Sequence, residues 1–207
     1  MLATVPWHDG AGLRAGAPYE VASMLTLITP PASLPVTVQE AKAFCRVTID
    51  EDDAQIEAMI GAATAALDGP EGLFGRALMT QTWRLTLDRF PPMISVPMPP
   101  CQAITSISYR HASGTVLVLD PDSYEVTGLG GHIAAKIRPL RGLSWPYGRH
   151  GEDAVQVEFV AGWATAPERL RQAILMHVSQ MYDGREGAAG MTAGYDDLVR
   201  SYRLWSF

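Results

Sequence analysis

Gly75-Arg76-Ala77-Leu78-Met79-Thr80-Gln81-Thr82-Trp83-Arg84-Leu85-Thr86-Leu87 is where the chain changes its period. Upstream, apolar residues recur at helical spacing. From Trp83 they recur every second position: Trp83, Leu85 and Leu87 alternate with Thr82, Arg84, Thr86 and Asp88. A period of two puts successive side chains on opposite faces of a strand. The alternation predicts a half-buried strand, and its position predicts a helical segment giving way to a β segment.

Working back from this point, Thr37-Val38-Gln39-Glu40 is a capping box. Its threonine hydroxyl caps the amide three residues on, and Glu40 reaches back. The helix it opens is short and ends near Arg46. A second helix opens at Asp50, with Glu51, Asp52 and Asp53 in its first turn, where acids complement the positive end of the helix dipole. Ile56, Met59, Ile60, Ala63 and Leu67 form one apolar face, and Gly69-Pro70 stops the helix. Before these helices, residues 1–23 are rich in Gly, Ala and Pro without a period. Together with the more ordered-looking Leu25–Leu34 they read as an N-terminal arm over residues 1–34, either extended to pair with a neighbour or an unimportant leader.

Working forward, Ile104–Tyr109 and Val116–Leu119 flank Ser113-Gly114, a hairpin signal. Tyr124–Val126, Ile133–Ile137 and Val155–Val160 are further strand candidates, which gives five to seven strands over residues 79–163. Helix returns at Pro167, a residue suited to a first helical turn, and runs through Tyr182 to Gly184. Gly187–Gly190 links it to a last short helix near Tyr195–Tyr202. The expected fold class is α+β. Helices from residues 35–78 and 164–207 make one bundle, with a small antiparallel β lobe inserted between them.

Composition bounds the function. Of 207 residues, 47% are apolar and 18% charged, which makes the chain globular. Net charge is −6, with −6 over residues 1–70, +3 over 71–150, −3 over 151–166 and zero beyond. No basic stripe marks a dedicated nucleic-acid binder. Cys45 and Cys101 lie far apart without a CxxC and read as reduced, intracellular core residues. No apolar run approaches the roughly 18 residues of a membrane span, and no secretory signal opens the chain.

The search for chemistry finds weak candidates. Asp50-Glu51-Asp52-Asp53 lacks the alternate ligands and central glycine of a calcium loop, and a helix start explains it. His8, His111, His132, His150 and His177 include no pair at i, i+4, so no zinc pair lies on a helix. Cys45 with a histidine would need support that its short amphipathic helix does not offer. Gly128-Leu129-Gly130-Gly131 is followed by a strand rather than the helix a dinucleotide loop requires, and reads as a β-turn. Ser144 is not in a GxSxG elbow. These readings predict no catalytic residue, no cofactor and no metal. The competing class is a small hydrolase with an unrecognised Cys or Asp site in the β lobe.

What remains is the end of the sequence. Tyr202, Leu204, Trp205 and Phe207, with Arg203 among them, put four large apolar side chains into six residues. Such a segment either tucks into its own core or docks in a partner's pocket, where Trp, Tyr and Arg are enriched.

Taken in order, several stretches resemble the head–tail connector (adaptor) proteins of tailed phages, prophages and gene transfer agents. They are Pro35-Val36-Thr37-Val38-Gln39-Glu40-Ala41-Lys42, the acid-opened helix, Gly75 to Trp83, Pro97–Pro100 before Ile104–Tyr109, and Trp145-Pro146. Val157-Glu158-Phe159-Val160-Ala161-Gly162-Trp163 before Pro167, and Tyr202-Arg203-Leu204-Trp205, complete the set. The resemblance runs from about Leu25 to Phe207. It implies a non-enzymatic protein forming a ring, typically of about twelve copies, beneath the portal of a phage-like particle. That ring extends the DNA channel and carries the next neck or tail-completion protein. Its implied partners are therefore itself, the portal, that next protein and passing double-stranded DNA, with no membrane. Its implied place is the virion neck, after assembly in the bacterial cytoplasm. The resemblance also implies that Tyr202, Arg203, Leu204, Trp205 and Phe207 dock on the portal or a neighbouring subunit. A different virion part, such as a tail-completion or baseplate protein, is the alternative within the same class.

Overall fold

Thr37 opens the first helix as its sequence requires. Its hydroxyl accepts from the Glu40 amide, and the Glu40 carboxylate accepts from the Thr37 amide at 2.8 Å. Helix α1 (Val38–Cys45) ends at Arg46, which takes the left-handed conformation at φ 57°. In this computed structural model the described residues are 4–6, 23–184, 193–200 and 202. Helix α2 (Asp53–Ala65) starts three residues later than the acid run suggests, and its Asp52 cap makes no side-chain capping bond. Ile56, Ile60 and Ala63 are fully buried on its inner face, as their spacing predicts, with Leu67 buried just past its end and Met59 half-buried. Helix α3 (Glu168–Asp183) begins after Pro167 and ends at Gly184, and α4 (Ala193–Arg200) follows.

The chain divides into two compact units. The helical unit takes its described residues from 31–79 and from 163–202. In it α3 packs on α1, α2 and α4 around Ile56, Ile60, Phe74, Ile174 and Val178. Helices before and after the β segment thus share one bundle. The loop after α2 folds back so that the Leu73 amide reaches Ala66 and the Phe74 amide reaches Leu67. Only glycine fits at Gly72, because a Cβ there would lie 2.2 Å from the Asp68 carbonyl oxygen.

The β unit takes its described residues from 4–6, 23–30 and 80–162. Its strands are β1 (Thr4–Pro6), β2 (Ser23–Thr29), β3 (Gln81–Leu87), β4 (Ile94–Val96) and β5 (Cys101–Arg110). They continue with β6 (Val116–Val118), β7 (Tyr124–Thr127), β8 (Ala135–Pro139) and β9 (Val155–Ala161). One sheet has the order β1-β2-β3-β9-β5-β6 and the other β4-β8-β7, and every ladder is antiparallel. In β3 and β9 burial alternates strictly, with Trp83, Leu85, Leu87, Val157 and Phe159 inside.

Three sequence expectations shift. Ser23–Thr29, expected within an arm, is a strand paired with β3 of its own chain, and Leu25 on it is fully buried. Strand β4, hidden between Pro91-Pro92 and Pro97, pairs with β8. Strand β8 begins at Ala135 rather than Ile133, because Ala135 and Ile137 face the core while Ile133 is exposed.

Candidate assembly surfaces

The predicted docking segment begins inside the helical unit. Tyr202 packs its ring at 6.3 Å from Phe74 and edge-on at 6.1 Å from Trp163. Its carbonyl oxygen accepts from Arg76 Nε. Arg76 is buried, burial lowers its pKa, and its Nη1 has no hydrogen-bond partner. Tyr202 thus packs within its own fold while staying half-buried. Arg203, Leu204, Trp205 and Phe207 lie outside the described residues.

The acid cluster is more than a helix start. Lys42 of α1 donates to Asp50 at 2.6 Å and to Asp53 at 2.7 Å, and Tyr182 of α3 donates to Asp52 at 2.6 Å. The Lys42 ammonium holds the Asp50 carboxyl below its usual value, and Asp50 and Asp53 raise Lys42. Glu40 bonds to Arg171 of α3, and its carboxyl is held low, first by the Thr37 amide. The sequence shows the acids and the Thr37–Glu40 capping box, but the other partners sit 8 to 131 positions away, beyond any local pattern.

The residues weighed for chemistry are scattered. Desolvation raises the Cys45 thiol and pushes Cys101 up to about 11, the opposite of an activated nucleophile. His177 packs edge-on against Tyr195, and its Nδ1 is buried without a partner. His111 bonds to Ser113 in the hairpin turn between β5 and β6. Gly128 and Gly130 take positive φ in the turn between β7 and β8. Among the described residues no three His, Cys, Asp or Glu side chains gather as metal ligands, and no helix is long and apolar enough to cross a membrane.

A cleft of about 240 Å³ in the β unit is lined by Phe90, Trp145, Pro146, Tyr147, Arg149 and His150. Phe90 stacks on Trp145 at 4.9 Å, and the indole nitrogen donates to the Pro91 carbonyl. Trp145 is thereby fixed, while Tyr147 at its rim is 81% exposed. Aromatic walls beside the Arg149 guanidinium suit contact with another macromolecule, and the described lining holds no carboxylate or thiol.

The exposed apolar surface is the stronger feature. Val116, Leu117 and Val118 of the edge strand β6 are all exposed, with Val118 at 72%. Ile133, Leu143 and Leu129 are exposed in turns of the same unit. No charge interrupts Thr115–Leu119.

Comparison with known proteins agrees with the resemblance drawn from the residues. Residues 35–114, from the first capping box to the β5–β6 turn, match the family model of the phage gp6-like head-tail connector protein. Among curated proteins none matches. A chain in the neck of an empty GTA particle, computed with C6 symmetry, is 25% identical, with a TM-score of 0.72 over 88% of this chain and 96% of that one. A chain in the virion of a native gene transfer agent (GTA) particle is also 25% identical, with a TM-score of 0.72 over 87% and 95%. A chain of the native GTA neck computed with C12 symmetry shares the fold at 22% identity and a TM-score of 0.64 over 88% and 96%. By a family model over residues 35–114 and a likeness of fold over 88% of its length, this chain resembles the phage gp6-like head–tail connector proteins.

Proposed function

We propose that the chain is a structural head–tail connector that forms a ring beneath the portal of a phage-like particle and joins the head to the neck and tail. The observation that carries this reading is the match of its fold, nearly end to end, to a chain in a gene transfer agent neck. The family model over α1, α2 and strands β3 to β5 supports it independently. Work of this kind needs surfaces that mate, and a closed ring needs two different patches per copy, each meeting the other on the next copy. Repetition around the ring then turns weak single contacts into a stable assembly.

In this reading the ring, of about twelve copies, extends the channel for double-stranded DNA and carries the next neck or tail-completion protein. Assembly takes place in the bacterial cytoplasm. A net charge of −6 suits a passage that must not hold phosphates. Tyr202 fixes the start of the docking segment within the subunit, so Arg203, Leu204, Trp205 and Phe207 are the part that reaches the portal. Removing residues 203–207 should leave the melting temperature unchanged and abolish portal binding. A truncated chain that melts well below the full chain would place the segment in the core instead.

The test of the whole reading is electron microscopy of particles from a strain lacking the gene. DNA-filled heads beside separate, complete tails are expected. Normal particles would overturn the proposal, and defective tails alone would assign the chain to the tail.

A further inference from the structure

The six-stranded sheet has two edges of opposite character. At one edge β1 covers β2 with a strand ending in Pro6, which has no amide hydrogen to offer. Beyond it the β2 ladder is broken by an irregularity between Leu27 and Thr29. Proline and bulges are the devices by which sheets blunt an edge. At the other edge β6 has neither. Residues Thr115–Leu119 contain no proline and no charge, and the β5–β6 register Ser108↔Val118, Tyr109↔Leu117, Arg110↔Val116 is unbroken.

The hydrogen bonds show which groups the bare edge presents. The Leu119 amide donates to Ile107 and the His111 amide to Thr115. Antiparallel ladders alternate, so odd-numbered residues of β6 turn their backbone toward β5. The backbone groups of Val116 and Val118 therefore face outward. Their side chains are also the most exposed of the strand, at 55% and 72%. A free strand with open amides and carbonyls, flanked by valines, is a template for another chain.

Resting on the ring proposed above, we infer that the β6 edge is one half of the contact between neighbouring copies and is covered by a second copy of this chain. The strand's lack of charge argues against nucleic acid as the occupant. DNA is held by cations, and β6 offers none. An uncharged strand is matched by uncharged surface, of which this chain carries its own supply in Leu129, Ile133 and Leu143. Cyclic assembly also requires a patch that meets a different patch, and the blunted β1–β2 edge leaves β6 as the sheet's one-sided template.

The test places a photoreactive benzophenone amino acid at Val118 in full-length protein, assembled into particles. The expected product links position 118 to a second copy of the chain at a residue outside β6. A link from β6 to β6 would overturn the inference, because it reports a two-fold contact rather than a ring, and so would a link only to another protein. Val118→Lys is the second variant. It should melt like the parent, because the side chain is exposed, and lose neck occupancy by about tenfold or more, since a buried ammonium would lack a partner. Full occupancy by Val118→Lys would also overturn it. Cyclic neck density with β6 left bare would remove this inference and keep the ring. Neck density without cyclic symmetry would remove the ring itself.

Discussion

The helical unit and the β unit treat their surfaces in different ways. Charged groups are tied across elements in both, Lys42 to Asp50 and Asp53 and Arg171 to Glu40 in the helical unit, Arg84 to Glu158 and Arg138 to Glu125 in the β unit, so the difference lies in the apolar residues. Of the fifteen large hydrophobic residues exposed among the described residues, only Leu34, Phe44, Ile49 and Leu73 belong to this unit. The other eleven lie in the β unit, including all of β6. One unit is thus closed within the chain, while the other has a sound interior and an unfinished exterior. Single apolar residues on a surface are ordinary, but a bare apolar strand edge is not. The difference indicates a division of labour, with the bundle holding the subunit together and the β unit offering surface to the assembly.

The largest expected effect tests the closed unit. Phe74 is 1% exposed and supports Tyr202, so Phe74→Ala leaves a cavity the bundle cannot fill. The cost should be about 3–5 kcal/mol, measured by denaturant unfolding of the isolated chain. A cost within the range of a surface substitution would mean that the bundle is not the stabilising half, and the comparison would fail.

A middle-sized effect concerns pH. His177 sits against Tyr195 with Nδ1 buried and unpartnered, and burial lowers its pKa below 6.5. A base whose folded pKa is depressed is neutral in the fold while the unfolded chain takes up a proton. Its contribution is therefore complete above the unfolded value and is lost as pH falls from about 6.5 toward the folded pKa. Glu40 adds loss at lower pH, because its carboxyl is held below 4.5 in the fold. Melting temperature should fall between pH 7 and pH 5, and His177→Gln should flatten that part of the curve. An unchanged slope in His177→Gln would clear His177 of the effect.

The two units also differ in how far their sequences could be read. The capping box at Thr37, the buried face of α2 and the alternation of β3 and β9 are local signals, and each appears where its spacing puts it. The terminal helices share a bundle because each carries one apolar stripe that must be covered. Strand β4 is three residues between prolines, too short to show a period. Strand β2 reads SMLTLIT, with Leu25 and Leu27 on one face and Met24 and Ile28 on the other, so the sequence does not alternate, and only Leu25 is buried. The candidate surface was the least legible. Val116–Leu119 reads as an ordinary strand, and its exposure follows from being last in the sheet, a property of topology rather than of spacing. Tyr202 was legible as an anchor but not as to whose, since its cover of Phe74 joins residues 128 positions apart.

The smallest expected effect is the sharpest test of the comparison. Val118→Ala removes two methyl groups from a side chain that is 72% exposed. In the isolated chain these carbons already meet water, so unfolding should change by less than about 0.5 kcal/mol. In an assembled ring the same carbons would be buried, and apolar area removed from water is worth about 25 cal/mol per Å². The substitution should therefore be silent in the isolated subunit and visible as reduced neck occupancy, read by comparing chain-to-capsid ratios in purified particles. Phe74→Ala should show the reverse order, with a large loss in the subunit that precedes any effect on assembly. If Val118→Ala instead lowered subunit stability by as much as a core truncation, β6 would be part of the interior, and the contrast between a closed unit and an open one would have to be withdrawn.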